Sequence, residues 1–425
     1  MILDATIITT IGELIQDTRR SLNMTITQLS ELSGVPRGTI SRIENGEVKR
    51  PEFSSVRPLA MTLNIPFETL VDYYAEIEKR AETLLSMFQT TVRQCKDIDL
   101  IRKVATKYLE SPNEDSLDLT EKLYQHINSI EDNSIKLSLY SLIIDYSRSH
   151  GIMPYIAKGL YQQYLIERYD LNRLKETYYN GKYILNYADF LSQQERIELY
   201  YKLGIQAYNL KLYHESIEHC KKVLALHSAE SPYKVNALWV LRDANFALGK
   251  YEESELYSLQ YKQFNYPNSQ EHTVFMEALY NAVKGNTDKA IKELRAFLVT
   301  CSDTFILGAT RHLLQLYLKQ KNFEEAQALI ESNRINSSIL DKENPLTYYG
   351  YGEYQRILGE YFSAIGDIDN SINHLMEGLM CFSKIKDVNK EKECLNTIIH
   401  IHIKNNIPMM GQMLENLRNY LMEEN

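Results

Sequence analysis

The C-terminal half of the sequence repeats a short pattern at intervals of 36–45 residues. Each unit places one small residue at an equivalent position, and in four of the five units a larger residue lies three positions before it. The small residues are Ser216, Ser254, Ala290, Ala326 and Ser371, and the larger ones are Tyr213, Tyr251, Phe323 and Ile368. A small side chain is needed where two helices cross closely, so the pattern predicts helix pairs that bury their apolar faces by stacking.

The composition favours the same architecture. Only 17 Gly and 10 Pro occur in 425 residues, so tight turns are few and a sandwich, barrel or propeller is not expected. No apolar run is long enough to span a membrane, and the N-terminus has no basic region typical of a signal peptide. The five cysteines are scattered without a CxxC pair. We therefore expect a cytoplasmic protein with no disulfide, metal site or membrane segment.

Residues 8–75 contain five short helical segments separated by turn signals. Thr25 and Gln28 form a capping-box pattern that begins the second segment. Gly34 follows as the residue that a sharp turn between helices requires, and Pro36 fits the first turn of the third segment. Two short helices that meet at such a turn form a helix-turn-helix, whose second helix suits the major groove of DNA. We expect Leu29 and Leu32 to fill the inner face of the first of these two helices.

The outward side chains of the third segment are the predicted DNA contacts. Arg37 can bind guanine O6 and N7 in a bidentate way, while Lys49 and Arg50 can hold phosphates. The predicted contacts are Thr25, Thr27, Gln28, Arg37, Gly38, Thr39, Ser41, Arg42, Asn45, Lys49 and Arg50. Residues 8–58 carry seven basic and six acidic residues, so a monomer would have modest electrostatic affinity and a dimer on a two-fold symmetric site would compensate. A helix-turn-helix retained for protein binding is the alternative.

The predicted domains are a helix-turn-helix over 1–75, a linker helix over 76–103 and a repeat domain over 104–425 that ends in capping helices over 388–423. The linker either pairs subunits or caps the repeat domain. The five repeat units are clear between 197 and 384 and degenerate from 104 to 196.

The repeats resemble tetratricopeptide repeats, which implies that the first helix of each pair lines a concave face. Polar residues dominate the inward positions predicted from this resemblance. Asn and Gln amides offer a donor and an acceptor, so they can pair with the backbone of an extended peptide of any sequence. Arg311 or Arg356 can take the terminal carboxylate of such a peptide. The predicted peptide contacts are Tyr201, Asn209, Asn236, Trp239, Asp243, Asn281, Arg311, Gln315, Glu353 and Arg356.

The first 60 residues resemble the Xre/Cro-type helix-turn-helix family, chiefly through the run from Thr39 to Gly46, and the repeats resemble tetratricopeptide repeats. The combination is similar to the peptide-pheromone receptors of Gram-positive quorum sensing (the Rap, Rgg, NprR, PlcR and PrgX group), and the length is closest to the NprR type. The resemblance implies an all-α fold, with an N-terminal helix-turn-helix domain followed by a right-handed tetratricopeptide-repeat superhelix.

The resemblance also implies a function, namely a cytosolic transcription regulator switched by a short signalling peptide. Its partners would be double-stranded DNA, the peptide, and further copies of the chain in a homodimer or higher oligomer. Asn209, Asn236 and Asn281 would hold the peptide backbone.

Two alternatives stay open. One is a phosphorelay modulator that binds a response regulator. Gln89 and Gln94 lie in the linker, but no motif around them allows the role of a Rap glutamine to be assigned to either. The other alternative is a protein-binding scaffold. No phosphate-binding loop, HExxH or GxSxG motif occurs, so neither an enzyme nor a cofactor is expected.

Overall fold

A computed structural model describes residues 10–226, 231–264, 269–332, 335, 337–342 and 345–406. Within these ranges the chain is all-α and contains no strand. The helices are α1 (Ile11–Ser21), α2 (Ile26–Ser33), α3 (Arg37–Glu44), α4 (Phe53–Thr62), α5 (Phe67–Ile77), α6 (Ala81–Gln94), α7 (Ile98–Leu109), α8 (Ser116–Asn128), α9 (Asn133–His150), α10 (Met153–Glu167), α11 (Leu174–Tyr183), α12 (Gln193–Asn209), α13 (Tyr213–Leu226), α14 (Pro232–Ala247), α15 (Tyr251–Tyr261), α16 (Ser269–Val283), α17 (Thr287–Thr300), α18 (Asp303–Gln320), α19 (Phe323–Ser332), α20 (Pro345–Ile365), α21 (Ile368–Lys384) and α22 (Val388–Asn405). Short 3₁₀ helices lie at Leu171–Arg173, Ile184–Phe190 and Ser337–Lys342.

Helices α1–α5 correspond to the five predicted N-terminal segments. The capping box is present, because Thr25 Oγ1 accepts from the Gln28 N–H at 3.2 Å and the Gln28 side chain accepts from the Thr25 N–H at 2.9 Å. Gly34 ends α2 with φ +71°, a left-handed conformation that glycine adopts without strain. The start of the predicted first helix at Ile8 lies outside the described residues, and so do residues 407–423 of the predicted C-terminal cap.

Two local predictions for α2 and α3 were wrong. Leu32 is 68% exposed, because the two-turn helix α2 buries Leu29 and then directs Ser33 inward, where its hydroxyl donates to the Leu29 carbonyl at 2.6 Å. Pro36 precedes α3 rather than lying in its first turn. Its carbonyl accepts from the N–H groups of Thr39 and Ile40, so Pro36 occupies the N-cap.

A buried ion pair joins α1 to the end of α3. Arg19 donates through Nε and Nη2 to the two carboxylate oxygens of Glu44 at 2.7 and 2.6 Å, and through Nη1 to the Met24 carbonyl at 2.7 Å. The Glu44 side chain is only 1% exposed. The backbones of the same two helices also touch, since a Cβ on Gly12 would lie 2.2 Å from the Ile43 carbonyl oxygen. The position of α3 is therefore fixed by both packing and charge.

The described chain forms two compact units. One comprises residues 10–167 and 180–192, and the other comprises the described residues within 168–179 and 193–406. In the first unit α6 buries Leu84, Met87 and Phe88 in the same core as α1–α5 and α7–α9. The domain boundaries predicted at residues 75 and 103 stay predictions.

The second unit contains the repeated helix pairs α12/α13, α14/α15, α16/α17, α18/α19 and α20/α21. The small residues of the sequence pattern are all fully buried where the two helices of a pair cross. In three pairs the small residue is serine, and its hydroxyl donates to a carbonyl of the first helix twelve residues earlier. These bonds run from Ser216 to Gly204, from Ser254 to Arg242 and from Ser371 to Gly359, at 2.7–2.8 Å. Each serine thus fits the close crossing and satisfies its own buried hydroxyl.

Candidate DNA-binding surface and inner face of the repeats

Helix α3 presents one polar face outward. Ile40 and Ile43 turn into the core, while Arg37, Gly38 and Arg42 are exposed and Thr39 and Ser41 are half-buried. Arg37 lies 3.9 Å from Glu31, and both side chains are more than 60% exposed, so this pair is weak and leaves Arg37 available. Nothing lies within 4 Å of a Cβ built on Gly38, so the face is open at that point.

The remaining predicted DNA contacts flank α3. Thr25 and Gln28 are exposed at the N-terminus of α2, where their side chains bind each other in the capping box, and Thr27 beside them is half-buried. Beyond α3 the side chains of Lys49 and Arg50 are exposed. Asn45 is exposed as well, and its amide donates to Ser41 Oγ at 3.4 Å. The predicted contacts therefore lie along α3 and at its two flanks.

A family model described as Helix-turn-helix (HTH_3) matches residues 15–70, from the middle of α1 into α5. Residues 15–70 are a helix-turn-helix domain. The predicted combination of this domain with tetratricopeptide-type helix pairs is confirmed.

Two relatives from Bacillus subtilis (strain 168) match the helix-turn-helix domain. The uncharacterized HTH-type transcriptional regulator RghRB is 33% identical over 73 residues, which are 17% of this chain and 52% of the relative. The HTH-type transcriptional repressor RghR is 38% identical over 68 residues, which are 16% of this chain and 50% of the relative. The chain thus spans about half the length of the curated relatives that it matches.

Solved structures resemble the chain only loosely. A Rap protein complexed with competence and sporulation factor is 11% identical, with a TM-score of 0.39 over 77% of this chain and 99% of that one. Bacillus thuringiensis PlcR in complex with the peptide PapR7 and DNA is 13% identical, with a TM-score of 0.25 over 91% of this chain and 99% of that one. Yeast Tom70 is 13% identical, with a TM-score of 0.38 over 96% of this chain and 95% of that one. At these TM-scores the likenesses add nothing to what the helices themselves show.

In the second unit, the first helices of the pairs carry the predicted peptide contacts, and we call the surface that they form the inner face. Tyr201 on α12 packs edge-on against Tyr233, with 5.2 Å between ring centroids, and Trp239 on α14 packs against His272 at the same separation. Gln315 is exposed, whereas Asn236 and Asn209 are half-buried. The inner-face residues discussed below are Tyr208, Asn209, Asn236, Trp239, Arg242, Asp243, Arg311, Glu353 and Arg356.

Three of the buried polar atoms on α12 and α14 that have no hydrogen-bond partner within the described ranges belong to predicted peptide contacts or to a residue beside one. Trp239 Nε1 and Arg242 Nη1 are donors, and Asn209 Oδ1 is an acceptor. Arg242 is 1% exposed and uses its Nε on Asp243 at 2.7 Å, which leaves Nη1 unsatisfied. An unsatisfied buried polar atom costs about 1–3 kcal/mol, so a group that bonded these atoms would be favoured here.

Several predicted contacts are already bonded to other side chains. Arg356 binds the carboxylates of Glu353 and Glu360, and Lys390 lies 3.1 Å from Glu353. Burial opposes ionisation of Glu353, but Arg356 and Lys390 outweigh it and hold the pKa of this carboxyl below its ordinary value. The Asn281 amide donates to Glu293 on the second helix of its own pair at 2.7 Å.

Sequence reasoning missed a contact that links the first pair to α22. Lys211, in the turn between α12 and α13, donates to Asp387 Oδ2, and its ammonium group lies 3.6 Å from the centroid of the Tyr349 ring. Asp387 also caps α22 by accepting from the Lys390 N–H at 3.3 Å. We call the contact of Lys211 with Asp387 and Tyr349 the clasp. The partners are 176 residues apart, so no local signal in the sequence marks them.

Replacing Lys211 by methionine is expected to lower the free energy of unfolding of the second unit by about 1–2 kcal/mol, because the clasp is partly buried and combines an ion pair with a cation–π contact. Urea denaturation followed by circular dichroism measures this loss. Lys321→Met is the matched control, since Lys321 has the same left-handed backbone in the turn between α18 and α19 but is exposed. Equal stability of the two variants would show that the clasp contributes nothing.

The first unit contains a separate cavity of about 410 Å³ between α6, α8 and α9. Gln89 lines it together with the buried Phe88 and Ile130, and its amide nitrogen lies 3.0 Å from a ring nitrogen of His126. None of the helices in the described ranges is both long enough and apolar enough to cross a membrane. The same ranges contain no group of three or more side chains able to hold a metal ion.

Proposed function

We propose that the protein is a cytoplasmic transcription regulator that binds double-stranded DNA through α3 and is switched by a short peptide held on the inner face of the repeats. The observation that carries the proposal is the helix-turn-helix domain, whose recognition helix presents an open, polar and partly cationic surface. Of the two curated relatives that match this domain, one is named an HTH-type transcriptional regulator and the other an HTH-type transcriptional repressor.

The arrangement around α3 suggests how DNA would be bound. Arg37 lies in the first turn, where a recognition helix contacts base edges, and a bidentate pair with guanine suits its exposed guanidinium. Lys49 and Arg50, exposed beyond α3, would bind phosphates and set the register. The near-neutral domain favours a homodimer on a two-fold symmetric operator, because two weak half-sites then act together.

Selection of random-sequence DNA duplexes by the purified full-length chain tests this assignment. The expected result is enrichment of a two-fold symmetric motif whose half-sites lie about 10 base pairs, or a multiple of that, apart. The selection is run both alone and with a pool of synthetic random heptapeptides. Failure to enrich any sequence under either condition would contradict DNA recognition and would favour the scaffold or phosphorelay alternatives.

The peptide part of the proposal is supported by the polar atoms of the inner face. Trp239 Nε1 and Arg242 Nη1 are buried donors and Asn209 Oδ1 is a buried acceptor, so they would bond the carbonyls and N–H groups of a peptide backbone once the side chains that cover them move aside. Every peptide backbone presents carbonyl and N–H groups. The three inner-face atoms would therefore bind an extended backbone largely independently of the peptide's side chains. Asn236 has no hydrogen bond within the described residues and lies one turn before the Trp239–Asp243 segment on α14, so its whole amide is available.

Asn236→Ala is expected to reduce the retention of peptides from a random heptapeptide pool about five- to thirtyfold, because it removes one or two hydrogen bonds of about 1 kcal/mol net. Retention is measured by size-exclusion separation and mass spectrometry of the bound fraction. Asn396→Ala on α22 is the control, since Asn396 is exposed and does not belong to a first helix of a pair. Identical retention by both variants would remove Asn236 from the site.

A further inference from the structure

Arg311 differs from the other cations near the inner face. Arg242 is paired with Asp243, Arg356 with Glu353 and Glu360, Lys390 with Glu353 and Glu393, and Lys211 with Asp387. Arg311 is half-buried on α18, and within the described ranges no carboxylate lies within 4.0 Å of its guanidinium. One positive charge of this surface is therefore not compensated by a carboxylate of the chain.

The neighbouring side chain holds the guanidinium in place without neutralising it. Arg311 Nη2 lies 3.1 Å from His312 Nε2. Burial, assisted by the Arg311 charge, lowers the pKa of His312 to about 3, so the ring is neutral at physiological pH and its Nε2 accepts from Arg311. Within the described ranges Nε and Nη1 of Arg311 have no hydrogen-bond acceptor, and these two groups are free to bind a ligand.

Three tyrosines lie within electrostatic range of Arg311. Burial is the main cause that raises the pKa of Tyr208, Tyr213 and Tyr349, and the nearby charge of Arg311 offsets part of the rise. Tyr208 and Tyr213 pack edge-on with 5.6 Å between centroids. All three phenols stay protonated at neutral pH. They can therefore donate hydrogen bonds to an anion, and they add no negative charge that would neutralise Arg311.

We propose that Arg311 binds a carboxylate of the peptide ligand and that Arg356 does not. The inference rests on the proposed peptide-binding function and assigns one end of the ligand. A guanidinium with two free N–H groups matches the two oxygens of a carboxylate, whereas the Arg356 guanidinium would have to give up Glu353 or Glu360 first. Either the C-terminal carboxylate or an Asp or Glu side chain supplies the same chemistry.

Three pools of synthetic random heptapeptides separate these sources. The first has free C-termini and lacks Asp and Glu, the second lacks Asp and Glu and is C-terminally amidated, and the third is amidated but contains Asp and Glu. Each pool is passed over the full-length protein, over Arg311→Gln and over Arg356→Gln, and the bound fraction is measured by mass spectrometry. Circular dichroism verifies that both variants keep the native helix content.

If the terminal carboxylate binds, the wild-type protein is expected to retain the first pool, with free C-termini, at least about tenfold better than the second, amidated pool. If an Asp or Glu side chain binds, it should retain the third pool, which contains these residues, better than the second. Arg311→Gln should remove the preference, and Arg356→Gln should keep it. Equal retention of all three pools by the wild-type protein, or a preference that survives Arg311→Gln, would overturn this inference while leaving peptide binding intact. Retention of no pool would overturn peptide binding itself.

Discussion

Arg19→Met is expected to destabilise the helix-turn-helix domain by about 3–5 kcal/mol, which is enough to unfold much of it at 37 °C. The substitution removes three charge-assisted hydrogen bonds and leaves the Glu44 carboxylate buried without its cation. Because Glu44 ends α3, the loss acts directly on the helix that would enter the groove. Urea denaturation of the full-length chain, with hydrogen exchange of the α1 and α3 amides, measures the effect.

The neighbouring arginine provides the control. Arg20 lies one position further along α1 and is exposed, so Arg20→Met removes the same charge without disturbing a buried partner and should change stability by less than about 0.5 kcal/mol. The double variant Arg19→Met/Glu44→Leu should regain part of the loss, because it replaces both charges with apolar groups. If Arg19→Met and Arg20→Met have the same free energy of unfolding, the ion pair does not fix α3.

Arg37→Ala/Arg42→Ala is expected to weaken binding to the selected duplex by about 2–4 kcal/mol, or roughly 30- to 1,000-fold. Both side chains are exposed on the outer face of α3, so the loss should come from DNA contacts and the unfolding midpoint should stay unchanged. Fluorescence anisotropy titration of the labelled duplex measures the affinity.

Two further measurements distinguish base reading from general attraction. Arg20→Ala removes an exposed cation on α1 rather than on α3 and should cost no more than a few tenths of a kcal/mol. The dependence of affinity on salt should be shallower for Lys49→Ala, which removes a phosphate contact, with little change of sequence preference. A double variant at Arg37 and Arg42 that binds the selected duplex as well as the wild-type protein would exclude α3 as the recognition helix.

The sequence predicted those parts of the fold that local chemistry determines. The capping box at Thr25 and the turn at Gly34 depend on residues within four positions of each other, and the small residue of each repeat depends on one helix crossing. Side-chain pairs between distant residues were not predictable in this way. The contacts of Arg19 with Glu44 and of Lys211 with Asp387 join residues 25 and 176 positions apart, and no periodic pattern marks them.

The inner face shows the same limit at the level of single side chains. Helical register predicted which positions lie on the first helices, but it carries no information on which side chains bind each other. Glu353 and Arg356 are neighbours one turn apart and satisfy one another, and Asn281 reaches Glu293 on its partner helix. Arg311 and Arg356 are equivalent candidates in the sequence, and only the charges around them tell them apart. The functional roles of all these residues stay predictions.

The most direct test of the account measures the affinity for the selected duplex with and without a peptide recovered from the heptapeptide pool. If the two sites are coupled, saturating peptide is expected to change the dissociation constant for DNA at least about fivefold, and saturating DNA should change the affinity for peptide by the same factor. The peptide-switched account would be contradicted if both ligands bind and neither changes the affinity for the other.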